Sequence, residues 1–145
     1  MPQEDSRRLN IVVPYLYPNL KLGPYPEDDY CLQNDSDGRG TFIVWKTEAV
    51  AEPTEQQLTD GKEAAVNDYW WQRVRNIRDV NLRQTDTYAV SDRPNNSEWI
   101  THRQELRDLP TTITKPSFAT LDGQSITEWD ANIRLLIQNP DGHRF

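Results

Sequence analysis

The longest stretch of this chain without a strong helix breaker begins at "EPTEQQL" and runs to about Gln84. Thr54 and Gln57 have the spacing of a capping box, which marks a helix N-terminus, and Pro53 stands directly before them. A helix of about 31 residues is about 46 Å long, more than the roughly 30 Å width of a small domain. The sequence therefore predicts a long helix that projects from the fold, kinks near Gly61, or lies along another body.

The apolar side chains of this helix fall mainly on one arc when residues are placed at about 100° intervals. Trp71 points well away from that arc. A large indole on the far side of an amphipathic helix needs a second contact surface, which is either the preceding segment or a partner. The arc consists of Val66, Tyr69, Trp70, Val74, Ile77 and Val80.

A second helix is predicted over residues 97–109, where "SEWITHRQELRDLP" has apolar or aromatic side chains at intervals of 3, 4 and 3. We expect Pro110 to end it. The short connection, residues 85–96, favours an antiparallel helical hairpin in which the two apolar stripes face each other. The residues expected to pack in this hairpin are Trp70, Val74 and Ile77 with Trp99, His102, Leu106 and Leu109.

Residues 1–52 are predicted to be strand and loop. The segment "NIVVPYLYPNLKLGPYP" contains four prolines, which favour edge strand or extended chain over helix. The following segment indicates a β-hairpin, with strands over 30–33 and 41–48 and a turn at Asp37-Gly38. Both faces of the second strand are apolar, so we expect both to be covered.

The C-terminal part is predicted to be a linker, residues 111–124, followed by a third helix. Ser125 and Glu128 form a second capping box, and Asn139-Pro140 ends the pattern. The apolar stripe of this helix is narrow, so we expect it to dock either on the helical hairpin or on a partner. The stripe consists of Ile126, Trp129, Ile133 and Leu136, widened by Leu135 and Ile137.

The predicted fold class is α+β, with an N-terminal β-hairpin and extended segment, an antiparallel helical hairpin and a short C-terminal helix. The predicted division is 1–52 for the β and loop region, 53–110 for the helical hairpin, and 111–145 for the linker and last helix. Only 35% of the 145 residues are apolar, so the core is expected to be small. Five Trp and six Tyr are then either core or interface residues, and the sequence leaves both open.

The charge and the motifs argue against several functions. A net charge of −7 makes nucleic acid and anionic membranes poor partners, and no apolar run approaches the length of a membrane span. With two histidines and one cysteine, no metal site and no cofactor are predicted. His102 is expected to be a packing or capping residue. A glycan hydrolase needs two carboxylates about 5–10 Å apart on a rigid cleft, and no region indicates them, so no enzymatic activity is predicted.

Two segments, "RVRNIRDVNLRQTD" and "EWITHRQELRDLP", together resemble the bacteriophage tail (fibre) assembly chaperone proteins. The chain departs from that pattern at Thr87, where Trp is usual, and at His102, where Tyr is usual. The remaining motif positions agree in identity and order. They are Arg78, Asp79, Leu82, Thr85 and Asp86, then Trp99, Arg103, Gln104, Leu106, Arg107, Asp108, Leu109 and Pro110.

The resemblance implies a non-enzymatic phage protein that helps a tail fibre to fold, trimerise or attach. It is made in the host cytoplasm and either departs after assembly or stays in the virion tail. The implied partner is the trimeric fibre, with other tail or baseplate proteins as further candidates. An alternative is a permanent structural component of the tail, a fibre or baseplate connector retained in the virion without a chaperone role. The residues expected to bind the partner are Trp71, Tyr88, Trp129, Ile133 and Leu136.

The charged residues of the motif have two possible roles. Arg78 and Asp79 on the first helix and Arg107 and Asp108 on the second can pair across the hairpin in charge-assisted hydrogen bonds. Alternatively they are solvated charges that contribute little to stability.

Overall fold

A computed structural model describes residues 7–142 of the chain, which form two compact units, one ending at Tyr69 and one beginning at Trp70. The α+β fold class is confirmed. The division into 1–52, 53–110 and 111–145 stays a prediction. The elements in chain order are α1 (Leu9–Leu16), β1 (Tyr30–Gln33), β2 (Phe42–Trp45), α2 (Glu55–Gln84), a 3₁₀ helix (Asp86–Ala89), α3 (Asn96–Thr112), α4 (Phe118–Asp122) and α5 (Ile126–Leu135).

The first helix, α1, corrects the prediction that prolines keep this segment extended, because Pro14 lies inside it. A proline costs a helix interior about 3 kcal/mol, partly through the hydrogen bond that it cannot donate. That bond would go to the carbonyl of Asn10, which is an exposed residue. Burial of a large apolar side chain contributes about 1.5–3 kcal/mol, so the packing of this short helix outweighs the proline. The buried side chains are Leu9, Ile11, Val12 and Val13.

The predicted β-hairpin is present, with β1 antiparallel to β2 and Tyr30 opposite Trp45. The second strand covers Phe42–Trp45, shorter than the predicted 41–48, and all four of its residues are only half-buried. Gly38 and Gly40 in the connection have φ of 90° and 76°, which glycine adopts without strain. The rings of Tyr30 and Trp45 stack with their centroids 5.7 Å apart.

The long helix α2 starts at the predicted capping box. The Thr54 backbone N–H donates to Gln57 Oε1 at 2.9 Å, and the Gln57 N–H donates to Thr54 Oγ1 at 3.1 Å. Gly61 does not interrupt the helix. A Cβ at Gly61 would lie 3.1 Å from Leu16 Cδ2, so glycine permits close contact with the end of α1. Over residues 7–142, no helix has both the length and the apolarity that crossing a bilayer requires.

Asp28 organises the loop before β1. Its Oδ2 accepts the Tyr25 backbone N–H at 2.9 Å, and Lys21 Nζ lies 3.2 Å from Oδ1 as an ion pair without hydrogen-bond geometry. The Tyr25 hydrogen bond is the main reason that the pKa of Asp28 is below its ordinary 3.8; burial opposes the shift and Lys21 adds to it. Gly23 packs directly against this carboxylate, since a Cβ there would lie 2.1 Å from Oδ2.

The helices of the second unit extend beyond two predicted limits. α3 continues to Thr112, two residues past Pro110, because a proline near the end of a helix removes one hydrogen bond and its φ remains helical. The predicted linker 111–124 contains α4, whose N-cap Ser117 accepts the Thr120 backbone N–H at 3.3 Å. Leu121 in α4 is fully buried, so this segment belongs to the folded unit.

The end of α5 changes which apolar side chain faces the interior. Ser125 caps the helix as predicted, with its Oγ accepting the Glu128 N–H at 3.1 Å. The helix stops at Leu135, so the chain turns before Leu136 completes the stripe. Ile137 is consequently buried at 4% exposure, whereas Leu136 is 52% exposed.

Removal of the Thr54 hydroxyl tests the capping box that the sequence predicts at the start of α2. We expect Thr54→Ala to lower the free energy of unfolding by about 1 kcal/mol, because two helix N-terminal donors lose their partners or their geometry. Thr54→Ser retains the hydroxyl and is expected to behave nearly as the native chain. Denaturant titration followed by circular dichroism measures the difference, and equal stability of the two variants would contradict the cap.

Acid sensitivity follows from the lowered pKa of Asp28. Its stabilising contribution is complete above the unfolded pKa near 3.8 and is lost as the pH falls through the lower folded value. We expect the stability difference between the native chain and Asp28→Asn to shrink over that acidic range, as measured by denaturant titration at stepped pH. A difference that is independent of pH would show that the carboxylate charge is not the stabilising feature.

Candidate functional site

Arg103 forms the centre of the motif that the sequence singled out. From α3, its Nη1 donates to the Leu82 carbonyl oxygen at 2.5 Å and to Thr85 Oγ1 at 2.9 Å. Its Nη2 lies 2.6 Å from Asp86 Oδ1. The last carbonyls of a helix lack intrahelical donors and have a partial negative charge, so a guanidinium is favourable there. Arg103 therefore caps the C-terminus of α2 from a neighbouring helix.

Buried polar side chains continue this arrangement along α2. Thr85 Oγ1 donates to the Asn81 carbonyl at 2.7 Å, and Asn81 Nδ2 donates to the Ile77 carbonyl at 2.8 Å. Thr85 and Asn81 are 0% and 1% exposed. Since a buried polar group without a partner is costly, these contacts fix the side chains in one conformation.

A stack of aromatic rings lies directly after α2. Tyr88 of the 3₁₀ helix stacks on Trp99 of α3 with centroids 4.5 Å apart and an interplanar angle of 18°. The guanidinium of Arg93 lies 4.5 Å from the centroid of the Tyr88 ring. Tyr88, predicted to contact a partner, therefore contacts Trp99 within the chain and remains half-buried. Trp71 is also half-buried, and its ring meets that of Trp70 edge-on at 4.8 Å.

His102 connects α3 to the segment after α5. Its Nε2 lies 2.5 Å from Asn139 Oδ1, and Asn139 Nδ2 donates to Asn81 Oδ1 at 3.4 Å. Glu105 Oε2 lies 3.7 Å from His102 Nδ1. Both His102 and Asn139 are buried. The sequence indicated a packing residue at His102 but assigned Asn139 only to the helix stop, and nothing in the sequence pairs the two.

The predicted third helix is α5 in the structure. It docks on other helices of the second unit, and docking within the chain was one of the two predicted outcomes. Arg73 Nε and Nη2 donate to the two carboxylate oxygens of Asp130 at 2.9 and 2.6 Å. Trp129 Nε1 donates to the Leu121 carbonyl at 3.0 Å. Trp129 and Ile133, expected to bind a partner, are each only 1% exposed, so in this conformation they are inaccessible to one.

The other residues expected to pack in the hairpin are buried, and their packing against one another stays a prediction. Trp70, Val74, Ile77, Trp99, Leu106 and Leu109 are all at most 7% exposed. The predicted pairing of the charged motif residues across the hairpin is wrong for the described chain. Arg78 pairs with the adjacent Asp79 at 3.0 Å, while Gln104 contacts Asp108 at 3.2 Å and Arg107 at 3.5 Å along α3. The ion pair that joins the two motif segments is formed instead by Arg103 and Asp86.

A groove lies between α3 and the segment after α5, and we call it the α3 groove. It encloses about 220 Å³. Leu136, half exposed, lines it and gives it an accessible apolar edge, with the equally exposed Leu135 beside it in sequence. Within residues 7–142, no three His, Cys, Asp or Glu side chains group as metal ligands. The groove is lined by His102, Glu105, Leu106, Leu109, Leu136, Ile137 and Gln138.

Replacement of Arg103 tests its role as a cap. We expect Arg103→Ala to lower the free energy of unfolding by about 2–3 kcal/mol. The Leu82 carbonyl and the Thr85 hydroxyl would lose a charged hydrogen-bond donor at a position where little water can replace it. Arg107→Ala, on the exposed face of the same helix, is the matched control, with an expected change within about 0.5 kcal/mol. Equal effects in denaturant titration would show that Arg103 is an ordinary surface charge.

Comparison with known proteins finds a match that covers most of these contacts. A family model described as phage tail assembly chaperone protein matches residues 71–130. No curated protein and no solved structure gives a significant match. The matched segment begins beside Arg73 and ends at Asp130, the two partners of the ion pair that docks α5. Over residues 71–130 the chain is therefore similar to the phage tail assembly chaperone proteins, which confirms the resemblance found in its sequence.

Proposed function

We propose that this protein is a phage tail assembly chaperone that binds the tail fibre and helps it to fold, trimerise or attach. The observation that supports the proposal most strongly is the family match over residues 71–130. The match also suggests a non-enzymatic role. We propose that the protein acts in the host cytoplasm during assembly and that the fibre is its main partner, with other tail or baseplate proteins as further partners.

The motif residues of the second unit make contacts within the chain, so they hold the fold together and leave other residues to bind a partner. Arg103 caps α2, and Tyr88 stacks on Trp99. Leu135 and Leu136 are among the apolar side chains that remain accessible near the motif. We propose that Leu136 and the α3 groove contact the fibre, and that Trp71 and Tyr88 contribute their half-exposed edges. Of the residues first expected to bind, Trp129 and Ile133 support this surface from within.

The apolar edge at Leu136 is suited to transient contact with an unassembled subunit. Leu135 and Leu136 are 53% and 52% exposed although they directly follow the buried part of α5. Exposed apolar residues beside a groove are typical of protein–protein contacts. A subunit that has not trimerised exposes apolar surface that its own partners will later cover, and this surface is what the α3 groove would bind.

Co-expression with the fibre protein of the same phage tests the proposal. We expect the yield of soluble, trimeric fibre to fall several-fold when this chain is omitted. Leu136→Ser is expected to reduce the yield because it removes apolar contact at the groove. Ile100→Ser is the matched control, since Ile100 is 51% exposed on α3 and does not line the groove. Native gel electrophoresis and sedimentation measure the trimer.

The proposal fails if the fibre trimerises equally well without this chain. Mass spectrometry of purified virions then decides the fate of the protein. Absence from particles agrees with a chaperone that departs after assembly. Stoichiometric copies in particles, combined with normal fibre folding when the chain is omitted, would instead establish the permanent connector.

A further inference from the structure

A second open cavity lies in the unit that ends at Tyr69, outside the residues that match the chaperone family. It encloses about 450 Å³ where the end of α1 meets the first turns of α2. Its position and chemistry are independent of the α3 groove, so an inference about it does not rest on the function proposed above. The lining residues are Leu16, Tyr17, Gln57, Asp60 and Gly61.

The aromatic wall of this cavity is held in place by neighbouring rings. The Tyr17 ring meets Trp45 edge-on with centroids 5.4 Å apart, and Trp45 stacks on the buried Tyr30 at 5.7 Å. Trp45 Nε1 donates to the Val50 carbonyl at 3.0 Å. Trp45 is therefore held by ring stacking and by a hydrogen bond, and it supports the Tyr17 ring in turn. A ring that is already in position lowers the entropy cost of binding a ligand.

The polar wall is provided by α2. Asp60 Oδ1 accepts from Gln56 Nε2 at 2.7 Å, and no described residue donates to its Oδ2. Gln57 is positioned by the capping box, through the hydrogen bond that its Oε1 accepts from the Thr54 N–H. Asp60 is exposed, so a ligand in the cavity can reach its free oxygen. A carboxylate beside an aromatic ring is suited to a cation.

The electrostatic field of this unit favours the same ligand. Residues 1–69 contain 13 Asp and Glu but only 6 Lys and Arg, so they account for the entire net charge of −7. Two basic side chains of this unit are engaged away from the cavity: Arg39 pairs with Asp35 and Asp37, and Lys46 donates to backbone carbonyls. A surface with one sign of charge attracts and orients a partner of the opposite sign.

We propose that this cavity binds a Lys or Arg side chain from a basic segment of a protein partner. The cation lies against the Tyr17 ring and pairs with Asp60, while its aliphatic stem lies along Leu16. Nucleic acid is repelled by the same field that favours a basic peptide. The cavity is thus a second protein-binding site, in a different unit and with a different chemistry from the apolar α3 groove.

Fluorescence anisotropy with the full chain and a labelled peptide of alternating Ser and Arg tests the inference. We expect Asp60→Asn to weaken binding by about fivefold or more, because it removes the paired charge. Glu63→Gln is the matched control: it removes the same charge from an exposed position of α2 that does not line the cavity, and its expected effect is within about twofold. Tyr17→Leu is expected to weaken binding, whereas Tyr17→Phe retains it.

Four results would overturn the proposal. Equal losses in Asp60→Asn and Glu63→Gln would mean diffuse charge attraction without a site. Equal binding of a peptide in which Gln replaces Arg would mean a neutral occupant. Equal affinity for spermidine or N-acetyl-arginine amide would mean that the cavity takes small cations, and no binding of the Arg peptide would remove the ligand class. Thermal unfolding of Tyr17→Leu verifies that this variant is folded.

Discussion

The second unit depends on the guanidinium of Arg103 at the C-terminus of α2. A helix of 30 residues ends with carbonyls that have no intrahelical partner. Arg103 binds one of them, together with the hydroxyl of Thr85 and the carboxylate of Asp86. This contact determines where the chain leaves α2, and hence where Tyr88 meets Trp99. One side chain on α3 therefore joins the two motif segments across the short loop that separates them.

A small apolar core makes such polar contacts important for specificity. Dispersion and burial favour many compact arrangements, whereas a buried hydrogen bond is satisfied only in a few. The contacts between His102, Asn139 and Asn81 and the ion pair of Arg73 with Asp130 select one of them. Both bring the C-terminal segment to helices formed earlier in the chain.

The same packing limits what is available to a partner. Of the five tryptophans, Trp70, Trp99 and Trp129 are buried and Trp45 and Trp71 are half-buried. Three of the tryptophans that suggested an interface therefore belong to the core, whereas most of the tyrosines keep part of their surface accessible. Outward apolar surface in the second unit consists instead of aliphatic side chains, and the first unit presents acidic charge. The two units therefore present surfaces of different chemistry.

The sequence alone determined the elements whose signals are local: the capping box of α2, the N-cap of α5, the β-hairpin, the apolar stripe of α3 and the motif that identified residues 71–130. These depend on spacings of a few residues, which the chain itself specifies. Only the tertiary structure decided that Pro14 lies in a helix, that Asn139 contacts His102, and that Arg103 forms the ion pair assigned to other charges. The physical reason is that burial and long-range hydrogen bonds outweigh local preferences, and their partners are chosen by packing rather than by distance along the chain.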